Sequence, residues 1–167
     1  MRIGIALGSN LGDRTANLRT ARSAIVDLAT DTSSVLASRV YETDPVGCEP
    51  GAGKFLNAVL EIEYDGDPSE LLEQLIRIEE LLGRDRNHAP NISRKVDIDL
   101  LYANDLVVDN ERLQLPHPRL HQRRFVLQPL ADIRSDLVLP GQSKTISELL
   151  AQTKDSTKVS CFAEKWL

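Results

Sequence analysis

Cysteine is scarce in this 167-residue chain, where Cys48 and Cys161 stand far apart and in unremarkable settings. That leaves no disulfide framework and no zinc-ligand spacing, and it fits a reducing cytoplasm, where the chain is expected to reside. Long apolar runs are lacking too. Gly4, Gly8, Ser9 and Asn10 interrupt the first apolar stretch too early for a secretion signal, and no later stretch approaches bilayer-spanning length. An excess of positive charge is also missing. The formal net charge of −5 argues against broad nucleic-acid binding. GxxxxGK(S/T), GxGxxG, GxSxG and HExxH are all absent, which removes the P-loop, dinucleotide, nucleophile-elbow and zinc-protease readings. Aromatic residues number only seven, so the place of each one counts.

What is present is an ordinary globular composition, 41% hydrophobic and 27% charged, long enough for a single domain with a substantial core. Charge is unevenly spread. Residues 84–124 hold eight Lys/Arg against six Asp/Glu, whereas the remainder holds twelve against nineteen. A mildly basic segment on an acidic chain suggests a local anion site, since a long polyanion requires a wider stripe.

Periodicity predicts a buried strand over 2–8 ending in a Gly-Ser-Asn turn. A helix over 14–29 follows, capped by Asp13, with Leu18, Ala21, Ile25 and Leu28 on its stripe. A second strand is expected at 35–42, a Gly- and Pro-rich loop at 43–54 and a third strand at 55–64. Asp67-Pro68-Ser69-Glu70 opens a second helix whose stripe runs through Leu72, Leu75, Ile76, Glu79 and Leu82, closed by Gly83. Glu79 is an acid among leucines, open to a solvated or a functional reading. A polar loop at 84–95 leads into another strand. Short strands are expected near 105–108 and 112–115, and helices at 123–133 and 145–152. Residues 153–167 read as a loosely held tail of the one domain. The order β-α-β-β-α-β indicates an α+β fold. It suggests a ferredoxin-like core, helices on one face of a largely antiparallel sheet, extended by a C-terminal hairpin and helices.

The most informative segment is Arg94-Lys95-Val96-Asp97-Ile98-Asp99-Leu100-Leu101. On a strand, Val96, Ile98 and Leu100 point one way and Asp97 and Asp99 the other. Two acids beside a core need compensation by a cation, an arginine or both. Magnesium takes one or two carboxylates plus substrate phosphates, and Arg94 offers a planar fork to a phosphate. A solvated edge strand is the competing explanation. The surrounding set contains Arg84, Arg86, His117 between prolines, and the aromatics Phe55 and Phe125. That set suits phosphoryl or pyrophosphoryl transfer, which asks mainly for positioning, metal bridging and cationic stabilisation.

Six blocks in register resemble one family. They are Gly8-Ser9-Asn10-Leu11-Gly12-Asp13, Tyr41-Glu42-Thr43-Asp44-Pro45-Val46-Gly47, Phe55-Leu56-Asn57-Ala58, Arg77-Ile78-Glu79 with Gly83-Arg84 and Arg86, Arg94 to Asp99, and Leu115-Pro116-His117-Pro118-Arg119. The family is 6-hydroxymethyl-7,8-dihydropterin pyrophosphokinase. The resemblance implies transfer of the β,γ-diphosphate of ATP to the pterin's hydroxymethyl group, with release of AMP, in folate biosynthesis. It implies two Mg2+ ions on Asp97 and Asp99, and a pterin held by Phe55, Phe125, Asn57 and the segment containing Thr43, Pro45 and Val46. Arg84 and Arg94, with Asp97, would serve catalysis. Glu79, Arg86, Arg112, His117 and Arg123 would serve ATP, and the loops at 43–54 and 84–94 would act as lids. A monomer is expected, without nucleic-acid or membrane partners and with a functional link to dihydropteroate synthase. The chain departs from the family where Pro90-Asn91-Ile92-Ser93 replaces an Arg-Trp-Gly-Pro-type segment, and where Pro118 stands in place of an aromatic. The alternatives are a magnesium-dependent nucleotidyltransferase, in which Gly-Ser would closely precede the acids, and a non-enzymatic ferredoxin-like ligand-binding domain.

Overall fold

The structure, a computed structural model, describes residues 1–46, 48–83 and 93–166. Its first strand, β1 (Arg2–Ser9), alternates large and small side chains. Ile3, Ile5 and Leu7 enter one core, while Gly4, Ala6 and Gly8 face the other way. The helix α1 (Arg14–Val26) is capped by Asp13, whose side chain accepts from Ala16 N. The strands β2 (Leu36–Ala37), β3 (Val40–Thr43) and β4 (Phe55–Glu63) follow, then α2 (Pro68–Leu81), capped by Asp67, and β5 (Asp97–Ala103). A small hairpin of β6 (Val108–Asp109) and β7 (Gln114–Leu115) precedes α3 (Arg124–Arg134), α4 (Ile146–Gln152) and β8 (Val159–Ala163). The main sheet has the order β5-β1-β4-β3-β8, with β2 also on β4, and its pairings are antiparallel.

Two apolar clusters cover the two sheet faces. On one, Leu18, Ala21 and Ile25 of α1 and Leu71, Leu75 and Ile78 of α2 pack on Ile3, Ile5, Leu7, Leu56, Leu60 and Ile98. On the other, Val126, Leu127 and Leu130 of α3 and Ile146 of α4 pack on Val59, Leu101 and Tyr102. The α+β architecture and antiparallel sheet are as expected. The two core helices, α1 and α2, share one face as expected, and the added helices α3 and α4 cover the other; the apolar positions of α3 gave no clue to which face it seeks. The stripe of α2 also shifts to Leu71, Leu75, Ile78 and Glu79, leaving Leu72 and Ile76 only half-buried.

Other local differences have local causes. The strand expected at 35–42 splits at Ser38, whose N–H donates to Val59 O (2.9 Å) and whose hydroxyl accepts from Val59 N (2.9 Å). The C-terminal segment is not a loose tail over residues 159–163. There β8 pairs with β3, and Trp166 Nε1 donates to Ser38 O at 2.8 Å. The sheet edge offered by β3 supplied partners that a polar sequence does not advertise. Among the described residues no helix is long and apolar enough to cross a membrane.

At one end of the second face, the ring of Tyr102 lies across Gly4, where a Cβ would come within 2.2 Å of Cε1. A register shift between Gly4 and Ile5 brings Tyr102 there. Its hydroxyl donates to Glu61 Oε2 at 2.5 Å. Glu61, 2% exposed, also accepts from Arg2 Nη1 (3.2 Å), Arg134 Nε (2.8 Å) and Arg134 Nη2. This knot pins the end of α3 to the sheet.

Candidate active site

The other end of the same face is open. Gly8 lies between Asp97 on β5 and Asn57 on β4, and Ala6 between Asp99 and Val59. A Cβ on Gly8 would meet only ordinary contacts, the nearest being Asn57 Oδ1 at 3.4 Å. These small residues floor a cavity of about 300 Å³. Its lining includes Phe55 of β4, Phe125 and Val126 of α3, Asn57, Thr43 and Val46, together with Arg94, Asp97, Asp99 and Arg123. Apolar walls and polar residues at one end suit a flat heterocycle bearing a group that reacts with an anion.

The polar edge is held in place before any ligand arrives. Asn57, 6% exposed, donates through Nδ2 to Thr43 Oγ1 at 2.8 Å. That fixes the amide, with Oδ1 beside the empty Cβ position of Gly8. Pro45 sits in the loop between Thr43 and Val46 without lining the cavity.

The two acids occupy one face of β5, as alternation predicts, and both are half-buried. Arg94 Nη1 donates to Asp97 Oδ1 at 2.7 Å, while its buried Nε has no hydrogen-bond partner among the described residues. Glu79 is 5% exposed, and its Oε1 accepts from Ile98 N at 2.7 Å, the amide between the two aspartates. It therefore fixes the strand that presents the acids. No group of three or more His, Cys, Asp or Glu clusters as a metal cage among the described residues. A pair of carboxylates that leaves the rest of the shell to water and substrate oxygens is the donor set magnesium favours.

A second groove of about 370 Å³ adjoins Asp99, lined by Leu72, Leu100, Arg112, Leu113, His117 and Pro118 among others. Arg112 is exposed and pairs with Glu73 at 3.2 Å. Burial, then the cations Arg123 and Arg119, push His117 down to about 4, so its imidazole is neutral at physiological pH. Arg123 is half-buried, its guanidinium 5.5 Å from the Phe125 ring centroid. Burial and Arg119 both disfavour its charge, while Asp99 and Asp97 favour it. The expected Arg84 and Arg86, and the unusual residues 90–92, lie outside the described residues.

The sequence reading missed several residues here. Asn10 accepts from Arg94 N (2.8 Å) and donates through Nδ2 to Ser93 Oγ (3.0 Å) and Gly53 O (3.4 Å). One side chain thus joins the stem of the 43–54 loop to that of the following loop. Glu49 accepts from Ser93 N at 3.1 Å, a second link between them. Asp44, Cys48, Asp155 and Thr157 also line the cavity. Asn10 stood inside a quoted block, so its position was visible although its bonds were not.

Comparison with known proteins shows the family. The 7,8-dihydro-6-hydroxymethylpterin-pyrophosphokinase (HPPK) family profile matches residues 4–135. The chain is 41% identical over 151 residues to a 2-amino-4-hydroxy-6-hydroxymethyldihydropteridine pyrophosphokinase of Haemophilus influenzae, covering 90% of this chain and 92% of that one. It is 46% identical over 129 residues to the Bacillus subtilis protein of the same name, covering 77% and 75%. Among solved structures it resembles wild-type Plasmodium falciparum HPPK-DHPS with pteroate, with a TM-score of 0.68 at 15% identity. That match covers 90% of this chain but 42% of the longer one, and it speaks to the fold alone. By sequence over most of its length, the chain belongs to the 7,8-dihydro-6-hydroxymethylpterin-pyrophosphokinase family.

Proposed function

We propose that the chain transfers the β,γ-diphosphate of ATP to the hydroxymethyl group of 6-hydroxymethyl-7,8-dihydropterin, releasing AMP, in folate biosynthesis. The observation that carries this reading is one cavity in which two phenylalanines and a fixed asparagine meet the Asp97–Asp99 pair and two arginines. Phe55 and Phe125 hold the pterin ring, and Asn57 reads its polar edge. The groove beside Asp99 takes the nucleotide, with Arg112 and His117 on its wall. A neutral His117 suits that role, serving as a hydrogen-bonding group without adding a third positive charge beside Arg119 and Arg123.

Asp97 and Asp99 hold two Mg2+ ions, which supply charge neutralisation on the phosphate oxygens. The chain's own residues do the rest. In the reaction the pterin alcohol oxygen bonds to the β-phosphorus, the bond between that phosphorus and the α–β bridging oxygen breaks, and the alcohol proton is lost. Arg94 is oriented by Asp97 and keeps Nε for a phosphate oxygen. The half-buried Arg123 guanidinium meets the same charge from the α3 side, and Arg84 and Arg86 add to it. Phe55, Phe125 and Val126 exclude water from the reacting alcohol. The pterin diphosphate would pass to a dihydropteroate synthase, an extension suggested by the fused HPPK-DHPS chains.

The test is incubation of the purified chain with ATP, magnesium and the hydroxymethyl-dihydropterin. AMP is expected in equal amount to the pterin diphosphate. Release of pyrophosphate would indicate nucleotidyl transfer, and formation of ADP a simple kinase; either would sink the assignment.

A further inference from the structure

The first turn of α3 carries Phe125 and begins at Arg123, yet Arg123 offers no side-chain acceptor to the exposed N–H groups of the helix. The acceptor comes from far along the chain. Asp155 Oδ2 takes the Arg124 N–H at 2.8 Å. Its other oxygen accepts from Thr157 N (2.9 Å) and from the Thr157 hydroxyl (2.5 Å). The Asp155 N–H donates to Thr153 Oγ1 at 3.2 Å, and the Thr153 hydroxyl donates to Gln122 O at 3.4 Å, just before the helix. Beyond this segment the chain is anchored by β8 on β3 and by the Trp166–Ser38 bond. Asp155 and Thr157 both line the cavity beside Phe125 and Arg123.

Resting on the reading of this cavity as the pterin site, we infer that residues 153–157 form part of its wall and that Asp155 is a positioning residue for Phe125. The carboxylate ties the helix turn bearing the aromatic wall to a segment anchored on the β3 edge of the sheet. Losing the tie lets that turn fray and displaces the ring. The long Arg123 side chain can reach back to its place, so binding of the flat substrate suffers more than the chemical step.

The test compares the wild type with Asp155→Ala, Asp155→Asn, Thr157→Val and Phe125→Ala by steady-state AMP release and by thermal melting. Asp155→Ala is expected to raise the pterin KM about fivefold, the equivalent of one lost helix cap, with kcat within about twofold. Asp155→Asn keeps an acceptor for the Arg124 N–H and is expected to restore KM to within about twofold. A lower melting temperature with unchanged KM in Asp155→Ala would show a merely structural role and overturn the inference. Should Asp155→Ala fail to fold, Thr157→Val carries the test, with an expected KM rise of about twofold against no rise for the overturning result. If Phe125→Ala raises KM while the Asp155 variants do not, the inference fails and the pterin reading stands. If Phe125→Ala also leaves KM unchanged, both fall.

Discussion

The two ends of the α3-covered sheet face are built from the same parts and reach opposite results. Each has a glycine on β1, a strand carboxylate and arginine partners. At one end Tyr102 fills the space over Gly4, and Glu61 is enclosed by two arginines and a phenol. At the other end no atom comes closer than 3.4 Å to the Cβ position of Gly8, the Phe55 ring standing off at 3.8 Å, and Arg94 meets Asp97 with one nitrogen while holding another unused. A glycine and an ion pair therefore do not mark a site by themselves. What marks it is space over the glycine and unspent hydrogen-bonding capacity.

That contrast can be broken at either end. The largest effect is expected from Asp97→Asn and Asp99→Asn, each lowering AMP formation on the order of 10²–10³-fold while thermal melting stays near wild type. Glu61→Ala should do the reverse. Removing the centre of a buried ion cluster costs about 3 kcal/mol in urea unfolding, and the remaining folded enzyme should keep its kcat. Comparable activity losses at both ends would erase the distinction.

The glycines give a finer comparison. Gly4→Ala drives a methyl into the Tyr102 ring and should cost about 1–3 kcal/mol. Gly8→Ala makes only ordinary contacts, the nearest at 3.4 Å, so stability should hold, whereas the pterin KM should rise about tenfold as the methyl enters the cavity. The last effect concerns pH. With His117 held at about 4 in the folded chain and about 6.5 when unfolded, the unfolded chain takes the proton first as pH falls. Stability should therefore decline between about pH 6.5 and 4, with no further loss from this group below that. His117→Gln should flatten this part of the profile in urea melts. NMR titration of the ring should show a midpoint near 4; a midpoint near 6.5 would contradict the burial and neighbouring cations described here.

Local signals read well. Asp13 and Asp67 cap the helices assigned to them, and Asp97 and Asp99 share a face because strand alternation is a short-range property. Long-range pairing read poorly. Nothing near Ser38 announced that it would break a strand, and nothing in residues 153–167 announced a partner for β3 or a cap for α3. Glu79 marks the boundary between the two. Its oddity among apolar neighbours was visible, but its reason, the Ile98 amide on another element, required the fold. The Gly4, Ala6, Gly8 alternation was present on the page as letters. It acquired meaning only when one notch proved filled and another empty.

The placement of Arg123 and Phe125 on one helix turn has a consequence for ligand chemistry. On the proposed reading, a ring-binding wall and a phosphate-binding cation separated by a single residue set the distance between the two ends of a bound ligand. A synthetic molecule that tethers a flat heterocycle to a polyphosphate should gain affinity only at the tether length matching that span. Shorter and longer tethers would each surrender one end.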